Sequence, residues 1–453
     1  MLTTAEANLG PAVIAQDDQS SQSRSDLLSL ISTRRMSRAQ LFAAAVGIAI
    51  NAIDGYDVLA ISFAAPGIAK EWGIDRSGLG IVLSMELIGM AFGSLVLGRV
   101  ADQIGRRPML LICEIAMAFS MLMCATANDV TMLALWRLVV GVSIGGVLPA
   151  LTSMMAESSS QRGRDVSVTL LGVGYSAGAI FGGSIAAWLL KYYDWRSMFI
   201  MGAAATMIGA VLTYVLVPET IAFLLKRQPK NALARINAIA QRFQLPTISR
   251  LPDTNSNEVK GAVRSVFDRD LLRNTIVVPL AYLFCMITFY FPLKWAPKLI
   301  ADMGYTPSEG ASVLVWINIG GLIGSLAVAA SASRLSLRIT TPIILIVGAI
   351  SLVAFGATAT DLSTFKYVGA VMGFFLNASV VCLFAAIARS FPASVRATGA
   401  GISLGIGRAG SVLAPVVAGF MFASGFNLAF VSSVMAVGCL ISAGLLACSQ
   451  PKD

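Results

Sequence analysis

Twelve apolar runs, each long enough to cross a lipid bilayer, constrain this chain more than any other feature of it. A hydrocarbon core takes about 20 residues of helix, and runs of that length recur from Leu41 onward. Backbone groups in hydrocarbon find no water, so each run must be a helix that closes its own hydrogen bonds. The runs fall at 40–67, 78–99, 108–127, 130–155, 166–190 and 196–217, and after a polar gap at 274–299, 309–332, 341–360, 365–389, 397–422 and 426–448. Composition agrees, with 56% hydrophobic and 13% charged residues against roughly 45–50% and about 25% in soluble domains. The expected fold is an all-α membrane protein of two six-helix halves, 40–217 and 274–448.

The flanking and central segments read differently. Residues 1–39 are rich in Ser, Gln and Thr and hold no basic stretch followed by an apolar one, so no cleaved signal peptide is visible. They are expected to be a disordered cytoplasmic tail. Residues 218–273 form the one long polar interruption, with mixed charge and apolar spacing over 226–243 that suit short surface helices. A polar linker at this midpoint suits two halves that move against each other. A short cytoplasmic tail, 449–453, closes the chain.

In a soluble chain the net charge of +9 would point to nucleic acid, but here topology accounts for it and no nucleic-acid partner is expected. One side of the membrane would carry Arg24, Arg34, Arg35, Arg38, Arg99, Arg106, Arg107, Arg162, Arg164, Arg334, Arg338, Arg389, Arg396 and the basic residues of 218–273. The other would carry only Lys70, Arg76, Lys191, Arg196, Lys298 and Lys366. The positive-inside rule then puts both termini in the cytoplasm. The six cysteines lie in or beside apolar runs without metal-ligand spacing, which reads as packing. There is no histidine, so the commonest metal ligand and the usual neutral-pH proton carrier are missing. Carboxylates must carry any proton chemistry, and neither metal nor cofactor is expected.

Charge inside the apolar runs is the next constraint. The first run contains Asp54 and Asp57, three apart and so on one helical face, with Gly55 between them permitting local bending. An ionisable group at mid-bilayer costs about 2.5–3.5 kcal/mol or more, so such residues line ion or substrate paths, and the pair is expected to face a central cavity. Glu86 and Glu114 carry the same cost in the second and third runs, as possible proton relays. Arg137 and Arg408 lie in the fourth and eleventh runs, and a guanidinium fork suits a carboxylate. Arg408 is read as the substrate contact and Arg137 as a partner of Asp54 or Asp57, with the reverse assignment open. The seventh run, with Phe284, Phe289, Tyr290, Phe291 and Lys294, has aromatic faces able to receive a benzene ring. Tyr56 in the first run, Asn318 in the eighth and Asn377 in the tenth complete the candidate substrate-binding set.

The loop after the second run reads Gly98-Arg99-Val100-Ala101-Asp102-Gln103-Ile104-Gly105-Arg106-Arg107-Pro108. It resembles the signature of the major facilitator superfamily, with Gln103 where an Arg is usual. Asp102, placed near the start of the third helix, is read as a latch for the positive helix end and nearby cations when that side closes, with Gly98, Gly105, Arg106 and Arg107 in the same gate. Further likeness lies in Arg137 with Gly141 and Gly145, in the stretch from Gly174 to Gly183, and in Pro218-Glu219-Thr220. Ala179 stands where many antiporters have proline, which argues against drug antiport. Glu157 and Arg396 match charged gate positions. Gly174, Gly178 and Gly182 in the fifth run are echoed by Gly401 and Gly405 in the eleventh, as faces for helix packing or sliding.

The string Asp54-Gly55-Tyr56-Asp57 resembles the hallmark of the aromatic acid/proton symporter family. That resemblance implies import of a benzoate- or hydroxybenzoate-like acid with protons across a bacterial inner membrane, by a monomer. The same fold could instead carry another organic anion, such as a sugar acid or a ring-cleavage dicarboxylate, with protons. A membrane enzyme is disfavoured by the lack of histidine and of any nucleophile–base set. A sensor is disfavoured by the lack of a large soluble output domain, although a secondary chemosensory role stays open.

Overall fold

The computed structural model describes residues 36–251, 269–331, 336–358, 361–392 and 395–449. The expectations for the N-terminal tail before residue 36, for Arg334 and for 450–453 lie outside these residues, as do those for the linker over 252–268 and for the side chains of Arg162, Arg164 and Cys448.

Among the described residues are twelve helices long and apolar enough to cross a membrane. The first half comprises α1 (Arg38–Trp72), α2 (Arg76–Ile104), α3 (Arg106–Ala125), α4 (Val130–Ser158), α5 (Gln161–Leu189) and α6 (Arg196–Leu216). Two short helices, α7 (Ile221–Arg227) and α8 (Ala232–Arg242), follow in the linker; α8 falls within the mixed-charge stretch 226–243, and α7 largely precedes it. The second half comprises α9 (Arg269–Asp302), α10 (Pro307–Ser331), α11 (Leu337–Ala357), α12 (Leu362–Ser390), α13 (Arg396–Ala423) and α14 (Leu428–Ser449).

Local chemistry sets the helix ends. Ser37 and Gln40 form a capping box that opens α1, and Gly73 ends it in the left-handed conformation at φ 62°. Asp75, Asp129 and Asp361 cap α2, α4 and α12 through side-chain bonds to the third backbone N–H beyond. The 35 residues of α1 reach about 52 Å at 1.5 Å per residue, so it runs beyond the hydrocarbon at its ends.

The halves repeat one packing plan. In the first, α1 packs on α5 and α6, α2 on α4, and α3 on α4 and α6; in the second, α9 packs on α13 and α14, α10 on α12, and α11 on α12 and α14. The halves meet by the symmetric exchanges α2–α13 and α5–α10, with α1 against α9 between them.

The two ends of this assembly differ. At the far end, which bears the α1–α2 turn, Gly80 lies so close to α13 that a side chain there would meet the Pro415 carbonyl at 2.6 Å. Arg76 pairs with Asp302 at 3.0 Å, and the Ser308 hydroxyl donates to the Ala187 carbonyl. The other end, which bears the linker, is parted. Gly401, Gly405 and Arg408, spaced four and three apart, continue the α13 face that carries Pro415 and Gly419. Among the described residues, side chains at Gly401 and Gly405 would nevertheless meet nothing within 4 Å, and the same is true of Gly172 on α5. One apolar core runs through both halves, while Val46, Ile50, Met109, Leu151 and Val217 form a separate cluster in the first half.

The glycine echo is therefore only partly a packing device. Gly174 and Gly178 sit against the Ile48 and Ala52 carbonyls and Gly182 against the Tyr56 ring, which joins α5 to α1. On α13 that duty falls to Gly407 against Tyr282 and Gly410 against Leu283, and not to Gly401 and Gly405.

Candidate functional site

Asp54 and Asp57 share a face of α1, but it looks into the first half rather than into the gap between the halves. The Thr206 hydroxyl of α6 donates to Asp57 Oδ2 at 2.8 Å, and a side chain at Gly202 would strike Asp57 Oδ1. Asp54 lies toward Glu114 of α3, whose Oε1 accepts from the Thr213 hydroxyl at 2.9 Å. Both aspartates are buried, and neither Asp54 oxygen has a hydrogen-bond partner among the described residues. The expectation that the pair faces a central cavity is thus corrected: α1 is wedged against α5, α6 and α9, and turns its polar face inward.

Arg137 is also reassigned. Its Nη2 pairs with Glu86 Oε2 and donates to the Asp57 backbone carbonyl at 3.3 Å, while its guanidinium lies 5.6 Å from the Phe199 ring centre. No ion pair joins it to either aspartate among the described residues. Glu86 wins because α2 and α4 pack so closely that a side chain at Gly141 would collide with the Glu86 carbonyl.

A third charge completes this cluster. Lys294 of α9 donates from Nζ to the Val58 carbonyl at 2.6 Å and to Glu86 Oε2 at 3.3 Å. Glu86, Arg137 and Lys294 are all 0% exposed. A buried ion pair holds only when the geometry satisfies its members, and here Glu86 Oε2 serves two cations from opposite halves. In the sequence Lys294 stands within the aromatic face of its run. The signal that marks it is the one that marks the aspartates: an ionisable residue within an apolar span.

Arg408 stands apart. It is half-buried on the α13 face that looks into the open gap, and no ion pair or hydrogen bond engages it among the described residues. It lies within electrostatic reach of Tyr175 on α5 and Tyr282 on α9, each of which also senses Tyr290. Tyr290 and Phe289 meet edge to face at 5.4 Å. Arginine, tyrosines and phenylalanine from both halves thus border the same space.

The remaining candidates are occupied elsewhere. The Tyr56 hydroxyl donates to the Met198 carbonyl at 2.8 Å, which turns the ring into the first half. Asn318 donates back to the Leu314 carbonyl of its own helix at 2.8 Å. Asn377 packs against Gly321 at the α10–α12 contact and donates to Gly373 at 3.4 Å. Those three engagements are with protein groups.

The gate residues assemble at the linker end. Asp102 belongs to the last turn of α2 rather than to the start of the third helix, because α2 runs on to Ile104. Arg106 bridges Asp102 and Glu157 at 3.0 Å each. Gly98 lies near Pro149 of α4. The N-terminus of α3 is instead served by Glu219, which accepts from the backbone N–H groups of Arg106 at 3.2 Å and Arg107 at 3.3 Å. Gly105 makes this possible, since its φ of 113° suits glycine and any side chain there would collide with Glu219. Burial pushes the Glu219 carboxyl above the usual range against these bonds. Arg107 donates to the Tyr214 carbonyl at 2.6 Å. Arg396 donates to the Phe391 carbonyl at 3.3 Å, and among the described residues no ion pair joins it to Glu157.

The family model described as Major Facilitator Superfamily matches residues 45–368. Among curated relatives, the chain is 28% identical to the gallate transporter of Pseudomonas putida, over 86% of this chain and 87% of that one. It is 27% identical to the 4-hydroxybenzoate transporter PcaK of Acinetobacter baylyi, over 95% of each. Among solved structures, the D-xylose-proton symporter superposes with a TM-score of 0.71 at 16% identity, covering 91% of this chain and 98% of that one. Twelve apolar helices in two repeated halves, this fold and these relatives place the chain in the Major Facilitator Superfamily, as a multi-pass membrane transporter and not an enzyme.

Proposed function

We propose that the protein imports a small aromatic carboxylate together with protons, by alternating exposure of the space between its halves. The observation that carries this reading is Arg408: a cation without a protein partner among the described residues, bordered by aromatic rings from both halves, in a chain whose relatives are named for gallate, benzoate and 4-hydroxybenzoate. Its guanidinium would take the carboxylate as a fork, and the rings of Phe289 and Tyr290 would take the arene by edge or offset packing. Asp54 and Asp57 would carry the proton, because a buried carboxylate gains or loses charge as its access alternates. The basic loops favour the linker end as cytoplasmic, which makes the present form open inward in a bacterial inner membrane, as a monomer.

The test is uptake of labelled 4-hydroxybenzoate, benzoate and a non-aromatic acid into vesicles under an imposed pH gradient, with and without protonophore. Aromatic acids should accumulate, and protonophore should abolish accumulation. Uptake indifferent to the gradient would overturn proton coupling, and preference for the non-aromatic acid would favour a sugar acid or dicarboxylate. Asp54→Asn and Asp57→Asn together should cut accumulation at least tenfold.

A further inference from the structure

The buried charges form a chain of alternating sign that crosses from one half to the other: Lys294, Glu86, Arg137, Asp57. The first two links are direct ion pairs, and the third runs through the Asp57 backbone carbonyl. Lys294 Nζ and Arg137 Nη2 converge on the same oxygen, Glu86 Oε2. Arg137 Nη2 also reaches the Asp57 backbone carbonyl, and both Arg137 and Glu86 act electrostatically on the Asp57 carboxylate. Three members belong to α1, α2 and α4 of the first half, and only Lys294 comes from the second. It is therefore the one charge that must leave when the halves part at the far end. The ammonium travels with α9, which holds it between Pro292 and Pro297 and against α1 at the Val58 carbonyl.

Charge balance then follows the movement. With Lys294 docked, Glu86 is shared between two cations, and the field of Arg137 is available to an ionised Asp57. Two cations then face two anions, and the buried set is neutral. With Lys294 withdrawn, Glu86 and Arg137 neutralise each other, and a neutral Asp57 restores the balance. An unbalanced charge in such surroundings is costly, so each arrangement favours one protonation state.

Resting on the proton-coupled reading above, we propose that Lys294 is a moving counter-charge: its docking on Glu86 expels the proton from Asp57, and its withdrawal admits one. Lys294 acts through Glu86 and Arg137 and does not contact the Asp57 carboxylate, so it positions the charge rather than carrying the proton. The other ionisable groups around Asp57 are Asp54 and Tyr56 on its own helix and, beyond Asp54, Glu114 on α3; α6 supplies only the hydroxyl of Thr206. These stay with the first half in both arrangements, and so none of them reports the movement. In the direction of import, the far end open would mean Asp57 loading from outside, and the far end closed would mean release to the linker side.

The sign for pH follows. The far-end-open arrangement binds one more proton at Asp57, so acidification favours it and alkalinity favours the closed form. Spin labels at Lys70→Cys and Met303→Cys, two exposed positions on opposite halves at the far end, read the opening directly. Cys448 would be replaced by serine; the other cysteines are buried. Measured on the full chain in liposomes without substrate, the wild-type distance should lengthen as pH falls from about 9 to 5. Lys294→Met should flatten that response, Lys294→Arg should restore it, and Glu86→Gln, which removes the docking charge, should flatten it independently. A response in Lys294→Met and Glu86→Gln equal to wild type would overturn the counter-charge. A wild-type distance indifferent to pH would instead overturn the proton-coupled reading on which it rests.

Discussion

The far end and the linker end use the same helices and are held in different ways. At the far end the bonds cross between halves: Arg76 to Asp302, Ser308 to Ala187, Lys294 to Val58 and Glu86. At the linker end these polar contacts stay within a half or tie the linker to it: Arg106 to Asp102 and Glu157, Glu219 to the start of α3, Arg227 Nε to the Asp102 carbonyl at 3.1 Å, Arg396 to Phe391. Bonds within a half make it a rigid body, and bonds between halves set which end is shut. A molecule that must shut each end in turn needs its cross-half bonds to be few and exchangeable, and its internal braces to be permanent.

The strongest way to break the comparison is to fill one glycine at each end: Gly80 in the α2–α13 contact and Gly405 on the parted part of the same α13 face. Gly80→Val puts methyl groups against Pro415 and Gly419, and overpacking of this kind costs about 1–3 kcal/mol. Populations should move roughly five- to 150-fold away from far-end closure, read by accessibility of single cysteines at that end. Gly405→Val meets nothing here, so the present form should tolerate it while closure of the linker end is blocked. Equal effects of both variants on far-end accessibility would refute the asymmetry.

The brace at the linker end offers a smaller effect. Glu219→Ala strands the N–H groups of Arg106 and Arg107, a loss comparable to a helix cap, about 0.5–2 kcal/mol. The melting temperature in detergent should fall, with the far-end distance unchanged. A shifted distance at constant melting temperature would place Glu219 in the gate instead.

Least affected should be Arg76→Gln. Its ion pair with Asp302 is partly solvent-exposed, and such pairs contribute about 0.2–1 kcal/mol and weaken with salt. Far-end opening should rise by no more than a few fold at low ionic strength, and the difference should vanish at high salt. A large effect that salt does not touch would mean this pair, and not Lys294, holds the end shut.

Much of this is legible in the residues alone. Every apolar run became a helix, because in hydrocarbon no other local structure satisfies the backbone. The cost of buried charge likewise singles out Asp54, Asp57, Glu86, Arg137 and Arg408. Pairing was not legible. Asp54 and Asp57 sit one turn apart on one face, but which face of α1 meets α6 and which meets the gap depends on the rotation of the helix in its bundle. Arg137 could have met any carboxylate at its depth, and the close approach of α2 at Gly141 selects Glu86. Asp102 moves from the start of one helix to the end of another because α2 outlasts its apolar run.

Sequence by itself determined twelve spans, two halves, a linker and the set of charges that must be shielded from lipid. These follow from the free energy of single groups in hydrocarbon, which periodicity and composition report directly. Tertiary structure decided who shields whom: that Lys294 reaches across to Glu86, that Glu219 and not Asp102 caps α3, and that Arg408 faces open space. Those outcomes depend on distances between helices far apart in the chain. A few ångströms of rotation or shift separate an ion pair from a lone charge, and no local pattern encodes them.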